Sequence, residues 1–458
     1  MKKFALTILL TLLASPAWAT TYYLAPASGG GNDSNNGTSA STPWLTPNHP
    51  VNCGDVILAA ASTAYSDVNF TTGNWGTVTC SAGNNVAWLK CATFDACKIT
   101  AASTGGIWVD KSYWGVQGWE VTIPTSSSNP WAGCFWAYPS HTATAIIHHI
   151  IFANDVANGC GGGGFQASAV NGYSVDYWVV VGSIAYNSAQ NGQYECSTGI
   201  NSNYMQNYDT LPGTHVYIAG NFVWDTFDPN PCNGGVPTDG EGISVPENNN
   251  TYSYTGQAVV ENNLTFFNGR YGVMVADNPT GHTYALYNTS YASNLATNMN
   301  WDGCAEIGIV QASNTNIYNN LVQASQVTGC GSNPIYAYSV QNGDGTDQVY
   351  NNWGWALNSQ FPLVYDSGSF AFGSNTFTNP AFSSAPSSTP GAPSCGSYAS
   401  VPACMATLIA DFVPTASGAS AYGRQPVESG NVSDPLFPQW LCNVSLPEGL
   451  VTMGCLSQ

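Results

Sequence analysis

The chain has 458 residues, only 7% of them charged, and 26 acidic against seven basic side chains give a formal charge of −19. That balance excludes partners held by basic patches, so neither nucleic acid nor an anionic membrane surface is expected to bind. The 48 glycines and 26 prolines exclude long helices, because both residues are poor in a helix interior.

Residues 1–19 read as a secretory signal: Lys2-Lys3, an apolar run from Phe4 to Leu13, and Ala17-Trp18-Ala19 before Thr20. The apolar run is too short to span a bilayer. The chain is therefore expected to be exported, extracellular or periplasmic, without membrane insertion, and to act as a monomer. An oxidising destination would pair its 14 cysteines. Close spacing pairs Cys91 with Cys97, Cys395 with Cys404 and Cys442 with Cys455. Zinc is not expected, since no Cys-x-x-Cys pair and no His at ligand spacing are present.

Residues 20–110 read as an N-terminal cap and first coils. They carry Tyr22-Tyr23-Leu24-Ala25-Pro26, Asn35-Asn36-Gly37-Thr38, Pro43-Trp44 and Cys53-Gly54-Asp55-Val56-Ile57, with Trp75 and Trp88 to cover an open end. Residues 111–380 then repeat one phrase, a polar marker followed by an apolar and aromatic alternation. It is visible at Asn221-Phe222-Val223-Trp224, Asn263-Leu264-Thr265-Phe266, Asn288-Thr289-Ser290-Tyr291, Asn320-Leu321-Val322 and Asn352-Trp353-Gly354-Trp355. His148-His149-Ile150-Ile151-Phe152 and Ser183-Ile184-Ala185-Tyr186 hold the same slot with substituted markers. The markers 149, 183, 221, 263, 288, 320 and 352 are 25 to 42 residues apart, the signature of stacked coils. Stacked markers would form one column and the side chains at 152, 186, 224, 266, 291 and 355 another. Asn suits the first because it tolerates left-handed backbone and its amide can bond to the Asn above and below. A β-sandwich or propeller would share the composition but would show strands about every 8–12 residues with hairpin signals.

Coil stacking also suggests Cys134–Cys160, Cys196–Cys232 and Cys304–Cys330, at similar heights on neighbouring coils. In this register His148-His149 reads as a turn replacement and not as a metal pair. Trp131, Phe135, Trp136 and Tyr138 crowd one loop, either as a sugar-stacking platform or as a cover over the solenoid's flank.

One coil is long and acidic, with Asp225, Asp228, Asp239, Glu241 and Glu247. Aligning Gly242 with Gly272 puts Arg270 one coil from Gly240, between Asp239 and Glu241. Tyr271, Asp277 and Glu247 are the candidate substrate-binding neighbours. An Arg beside acids also reads as a plain salt bridge. Residues 381–458 form a linker and C-terminal extension packed on the solenoid. Ser383–Pro393 is linker-like, and Pro402–Val413 is the one plausible helix, with Met405, Leu408, Ile409 and Phe412 on one face.

These phrases resemble the secreted bacterial right-handed parallel β-helix proteins of the pectate-lyase-like superfamily. The resemblance covers residues 112–380 as repeats and extends to the segments quoted from 22–57. It implies an all-β chain folded as a single-stranded right-handed parallel β-helix, with an N-terminal cap and a short C-terminal extension. It also implies a polysaccharide partner. Enzymes of this superfamily often remove a sugar C5 proton with Arg or Lys while acidic residues hold calcium against the uronate carboxylate. Carried over here, Arg270 is the candidate base, and Asp239, Glu241 and Asp225 are the candidate Ca²⁺ ligands. Strict strand alternation would send Arg270 to the opposite face from the acids, so the idea requires all three to lie in a turn.

Thr238-Asp239-Gly240 also resembles part of the polygalacturonase-type hydrolase motif, but Pro237 stands where that motif has Asn. An adjacent Asp pair, Gly-His-Gly and Arg-x-Lys are missing from the sequence, leaving a carboxylate pair such as Asp239 with Asp277 or Glu306. The expected function is lyase-like cleavage of a uronic-acid-containing polysaccharide. Two alternatives stand beside it: a non-catalytic carbohydrate-binding scaffold, favoured by the scarcity of basic residues, and a glycoside hydrolase. A surface of Asn, Ser, Thr, Gly and Tyr suits sugar hydroxyls in any of these.

Overall fold

The computed structural model describes residues 19–66, 73, 80, 86–100, 105–123, 133–139, 146–168, 174–189, 197–228, 239–247, 253–276, 278, 280–296, 304–324, 330, 334–356, 364–386, 395, 400–424 and 436–443. Each coil contributes three strands in turn, and each strand pairs in parallel with its counterpart one coil on. A short sheet holds ten strands, among them Val156–Asn158, Ile184–Tyr186, Phe222–Trp224, Leu264–Phe266 and Thr289–Tyr291. A middle sheet holds Ile107–Val109, Phe135–Ala137, Phe165–Ser168, Ile200–Asn203, Ile243–Glu247, Val273–Ala276 and Ala305–Val310. A long sheet holds Trp114–Gln117, Ile146–Ala153, Ser174–Val181, Thr214–Ala219, Gln257–Glu261 and Thr283–Leu286. The middle and long sheets merge through the continuous strands Tyr336–Tyr350 and Val364–Gly373. This is a parallel β-helix, and parallel crossovers of this kind are right-handed in nearly every case. The pairing runs back through Ala87–Cys91 and Val56–Ala59 to Thr21–Leu24.

Alternation along each strand sends every second side chain inward. The core is therefore a stack of small layers, such as Val180, Ile218 and Val260 from the long sheet facing Val245 and Val275 from the middle sheet. Phe135 and Phe165 stack within it at 4.7 Å.

The bend from long to short sheet is held by an asparagine ladder. Asn221 donates its backbone N–H and its amide to Asn263 Oδ1 at 2.9 and 3.0 Å. Asn263 does the same to Asn288, Asn288 to Asn320, Asn320 to Asn352 and Asn352 to Asn375. Each amide also donates to a carbonyl of the coil behind, as Asn288 does to Val260. Asn262, Asn319 and Asn351, each just before a rung, have positive φ of 57°, 58° and 52°, a geometry Asn tolerates.

The structure corrects the first rung. Phe152 pairs with Val180, so the slot aligned with Ser183 and Asn221 belongs to Asp155, not to His149. Asp155 accepts from the backbone N–H of Trp119 and Ala153, and its own N–H donates to Ser183 Oγ. A carboxyl group has the amide's shape, and burial raises its pKa well above the ordinary value. The aromatic column is corrected with it. Tyr186, Trp224 and Phe266 stack at 4.8 and 5.3 Å, while Asn158 stands at the position given to Phe152, which lies in the core.

Helix α1 (Val401–Asp411), capped by Ser400, lies against the outer face of the short sheet. It buries Val401, Cys404 and Leu408, with Phe412 just beyond its end, against Phe266 and Tyr291, while Ile409 is 44% exposed. Leu436, Phe437, Trp440 and Leu441 cover the outer face of the long sheet. Cys91–Cys97, Cys134–Cys160, Cys304–Cys330 and Cys395–Cys404 are bonded, as is Cys53–Cys80, which spacing had not suggested. The signal segment to residue 18, Trp75, Trp131, the expected pair Cys196–Cys232, and Cys455, expected to pair with Cys442, lie outside the described residues. Among the described residues no helix is long and apolar enough to cross a membrane.

Replacing Asn288 with Ala would remove the buried acceptor of the Asn263 backbone N–H and the amide donor to the Val260 carbonyl, while the Asn263 amide keeps only its bond to Ile218 O. At about 1–3 kcal/mol for each of the two groups that lose a partner, a loss of at least ~2 kcal/mol is expected in denaturant unfolding. A change below ~1 kcal/mol would show that the ladder adds little.

Candidate functional site

The acidic turn precedes the middle-sheet strand Ile243–Glu247, and the arginine turn precedes Val273–Ala276 one coil on. Ile243 pairs with Val273, so residues 240 and 270 are neighbours, and Arg270 N–H donates to Gly240 O at 3.2 Å. Asp239, Glu241 and Arg270 all precede their strands and lie in turns, as their convergence requires. Gly240 has φ of 97°, a left-handed value that favours glycine. Just after it comes a glycine column, Gly199, Gly242 and Gly272, where the chain enters the sheet. A Cβ on Gly272 would come within 1.9 Å of Ser290 Oγ, and one on Gly242 within 2.6 Å of Gly272 O.

Arg270 Nη1 donates to Glu241 Oε1 at 2.8 Å, and the two residues are 5% and 0% exposed. Burial works against the Arg270 charge, but Glu241, Tyr271 and Asp239 together outweigh it and the guanidinium pKa is raised. Burial pushes the Glu241 carboxyl above the usual carboxylate range; Arg270 opposes this and Asp239 adds to it. Glu241 Oε2 is buried with no hydrogen-bond partner among the described residues. The guanidinium lies 5.0 Å from the Tyr271 ring, whose hydroxyl accepts from Gln341 Nε2 at 2.6 Å.

The other predicted site residues are distributed around this pair. Asp239 is 6% exposed, and Asp225, 4% exposed, has a left-handed φ of 55°. Tyr271 is 2% exposed. Glu247 ends its strand, with its side chain outside the described residues, as is all of Asp277. Glu306 accepts from Ser290 Oγ and Ser293 N–H, both at 2.7 Å, and is wholly buried, which pushes its pKa up to about 7. It braces its own turn and is not paired with Asp239.

One oxygen of the donor set expected for calcium is already taken. Among the described residues no three His, Cys, Asp or Glu side chains group as a metal site. Glu241 Oε1 is committed to Arg270, so a hard cation would have to displace a guanidinium.

Of the row that leads to this turn, the sequence named Trp136 and Tyr138 as a sugar-stacking platform or a cover but not its polar members, and Phe135, named with them, lies in the core. On the outer face of the middle sheet, pairing aligns Trp108, Trp136, Gln166, Asn201, Ser244 and Met274. Trp136 stacks on Tyr138 at 4.7 Å and meets Trp108 edge-on at 5.1 Å. Gln166 Oε1, Asn201 Oδ1 and Ser244 Oγ are buried and make no hydrogen bond among the described residues. Such atoms are rare enough in native proteins that a row of three in register calls for an explanation. The available signal was positional, because Gln166, Asn201 and Ser244 each follow a strand glycine (164, 199 and 242) by two residues.

No protein-family model matches the chain, and no curated protein matches it. Among solved structures it is similar to the pectate lyase Pel9A, at 18% identity over 80% of this chain and 83% of that one, with a TM-score of 0.43. It is similar to a GH136 lacto-N-biosidase from Eubacterium ramulus, at 10% identity over 78% and 67%, with a TM-score of 0.40. It is also similar to the A-module of the mannuronan C-5 epimerase AlgE4 from Azotobacter vinelandii, at 11% identity over 70% and 86%, with a TM-score of 0.41. At such identities the likeness concerns the fold alone.

Removing one partner of a buried pair strands the other charge, at about 3–5 kcal/mol, whereas replacing both by apolar groups is often neutral. Arg270→Ala should therefore destabilise strongly, while Arg270→Met with Glu241→Leu should recover most of the loss. Denaturation midpoints of the two variants check this, and equal losses would remove the ion pair as the cause.

Proposed function

We propose that the protein is a secreted, carbohydrate-active β-helix that binds a polysaccharide along the outer face of the middle sheet. In this reading it cleaves that chain in lyase fashion at the acidic turn. The observation that carries the reading is the row itself. Aromatic rings at Trp108, Trp136 and Tyr138 lead to uncommitted amide and hydroxyl oxygens at Gln166, Asn201 and Ser244. These lead in turn to Glu241 and the one Arg of the repeats. Rings offer faces to pyranose C–H groups, and the oxygens accept from sugar hydroxyls.

The roles follow from the electrostatics. Elimination from a uronate needs a fixed positive charge to stabilise the enolate-like intermediate and a separate base for the C5 proton. Arg270 suits the first role and not the second, because Glu241 holds its proton in place. Asp239, whose charge acts on both Glu241 and Arg270, is the carboxylate assigned to take the proton. Calcium enters only as a point to be tested, since one oxygen of its proposed donor set, Glu241 Oε1, is committed to Arg270.

A specific observation favours a second reading, that of a non-catalytic binder. Arg270 is nearly buried and tied to Glu241, as a purely structural ion pair would be.

Purified protein should be incubated with a panel of uronans, with and without calcium, while the ultraviolet absorbance of the unsaturated product is followed. A rise that Asp239→Asn abolishes while binding persists supports the lyase. Binding without any product, unaffected by Asp239→Asn, leaves the binder. In either case Gln166→Ala with Asn201→Ala should weaken oligosaccharide affinity by about tenfold or more, at ~1.4 kcal/mol per factor of ten. An unchanged affinity would move the binding face elsewhere.

A further inference from the structure

A second cluster of titratable groups lies away from the acidic turn, where the long-sheet strands begin. Tyr113, His149, Tyr177 and His215 stack ring on ring across successive coils, at 4.7, 4.3 and 3.9 Å. Tyr113, His149 and Tyr177 have left-handed φ of 62°, 59° and 45°, unusual for bulky side chains and tolerated only where surrounding structure enforces it. Over this stack runs the 204–213 connection between Ile200–Asn203 and Thr214–Ala219.

What ties the connection down is polar. Asp176, wholly buried, accepts from Tyr208 N–H at 2.7 Å, Tyr177 N–H at 2.9 Å and Tyr254 Oη–H at 2.9 Å. His215 Nδ1 sits 2.9 and 3.1 Å from the two Asp176 oxygens, and its Nε2 sits 3.0 Å from Leu211 O. Both ring nitrogens therefore face acceptors, and only the doubly protonated imidazolium can donate to both. Tyr177 Oη–H donates to Asp209 at 2.8 Å, and the Tyr208 ring lies on His148 at 3.5 Å. Met205, 0% exposed, anchors the start of the connection in the core, but Tyr208 and Leu211 are 49% and 59% exposed, so beyond Met205 apolar burial does little to hold it.

We propose that the His215 imidazolium is a pH-sensitive clamp that holds the 204–213 connection closed over the Tyr113–His149–Tyr177 stack and releases it when the ring loses its proton. Asp176 and Asp209 are the charges that face the ring, with Tyr177 against its face and Tyr254 at its edge. Beyond Tyr177, burial keeps His149 neutral with a pKa lowered to about 3, and His148 neutral at about 4, so neither opposes the His215 charge near neutrality. Burial alone would lower the His215 pKa, but Asp176 outweighs it, and the Leu211 carbonyl and Asp209 add to the rise.

The sign of the pH effect follows. A histidine raised on folding contributes its full stabilisation below its ordinary value of about 6.5 and loses it as pH climbs through the raised folded value. The clamp is closed in mild acid and opens in mild alkali.

Amide hydrogen exchange, corrected for the intrinsic pH dependence of exchange, tests this on the full chain. Protection of Tyr208 and its neighbours should fall about tenfold or more between about pH 6 and about pH 9. His215→Gln should show no such pH dependence. Unchanged protection in the wild type, or an equal fall in His215→Gln, would overturn the clamp. Should the variant not fold, the wild-type imidazole titration followed by NMR decides, since a His215 pKa at or below about 6.5 would also overturn it.

Discussion

Everything in this molecule depends on a backbone that finds its hydrogen-bond partners one coil away. Each strand lends its N–H and C=O groups to the strands before and after it, so each residue is held at a fixed height above its counterpart. At the bend between long and short sheets that exchange passes through side chains, and Asn carries it there. Its amide oxygen accepts from the preceding coil's backbone and amide, while its amide nitrogen reaches back to a carbonyl. Where Asp155 takes the place of Asn, the shape is kept and the chemistry adapts through burial.

The same constraint explains how function can be arranged on so repetitive a scaffold. Stacking makes columns, and a column is either repeated for stability or varied for recognition. The Asn ladder and the Tyr186–Trp224–Phe266 stack belong to the first kind, and α1 buries part of the latter. The outer face of the middle sheet belongs to the second, changing from tryptophan to amide to hydroxyl along the axis. The turns before those strands are not bound by alternation. That freedom lets Arg270 reach Glu241 where strict strand geometry would have sent them to opposite faces.

Much of the fold was legible because the ladder needs one residue type at one position, so Asn221, Asn263, Asn288, Asn320 and Asn352 announce it. The register of Arg270 against Gly240 was legible for a similar reason, since only glycine fits where the chain enters the middle sheet. His149 was misplaced because an apolar run following a polar pair imitates the repeat, while the true rung at Asp155 ends in Asn158 and lacks the aromatic. Burial of Arg270 was not legible, because one buried cation in a chain with few basic residues looks the same as one exposed cation. The row of Gln166, Asn201 and Ser244 shares no residue type, so only its register reveals it. The His215–Asp176 pair escaped notice because it joins residues 39 apart through a stack that no sequence period marks.

Charge scarcity gives these two polar clusters their weight. A surface built from Asn, Ser, Thr and Tyr screens little and titrates little, so the few buried ionic contacts are not diluted by a field of neighbours. Among the described residues Arg270 faces Glu241 and Asp239 with no second cation paired to either, and His215 faces Asp176 and Asp209 with two neutral histidines behind it. In the first cluster the cation cannot lose its proton near neutrality, so it can act only as a constant charge. In the second it can, so the same kind of contact becomes conditional. One scaffold thus carries a permanent ion pair at the end of a polar face and a titratable one beneath a connection held mainly by polar bonds. The difference between them comes from the side chain alone, guanidinium in one case and imidazole in the other.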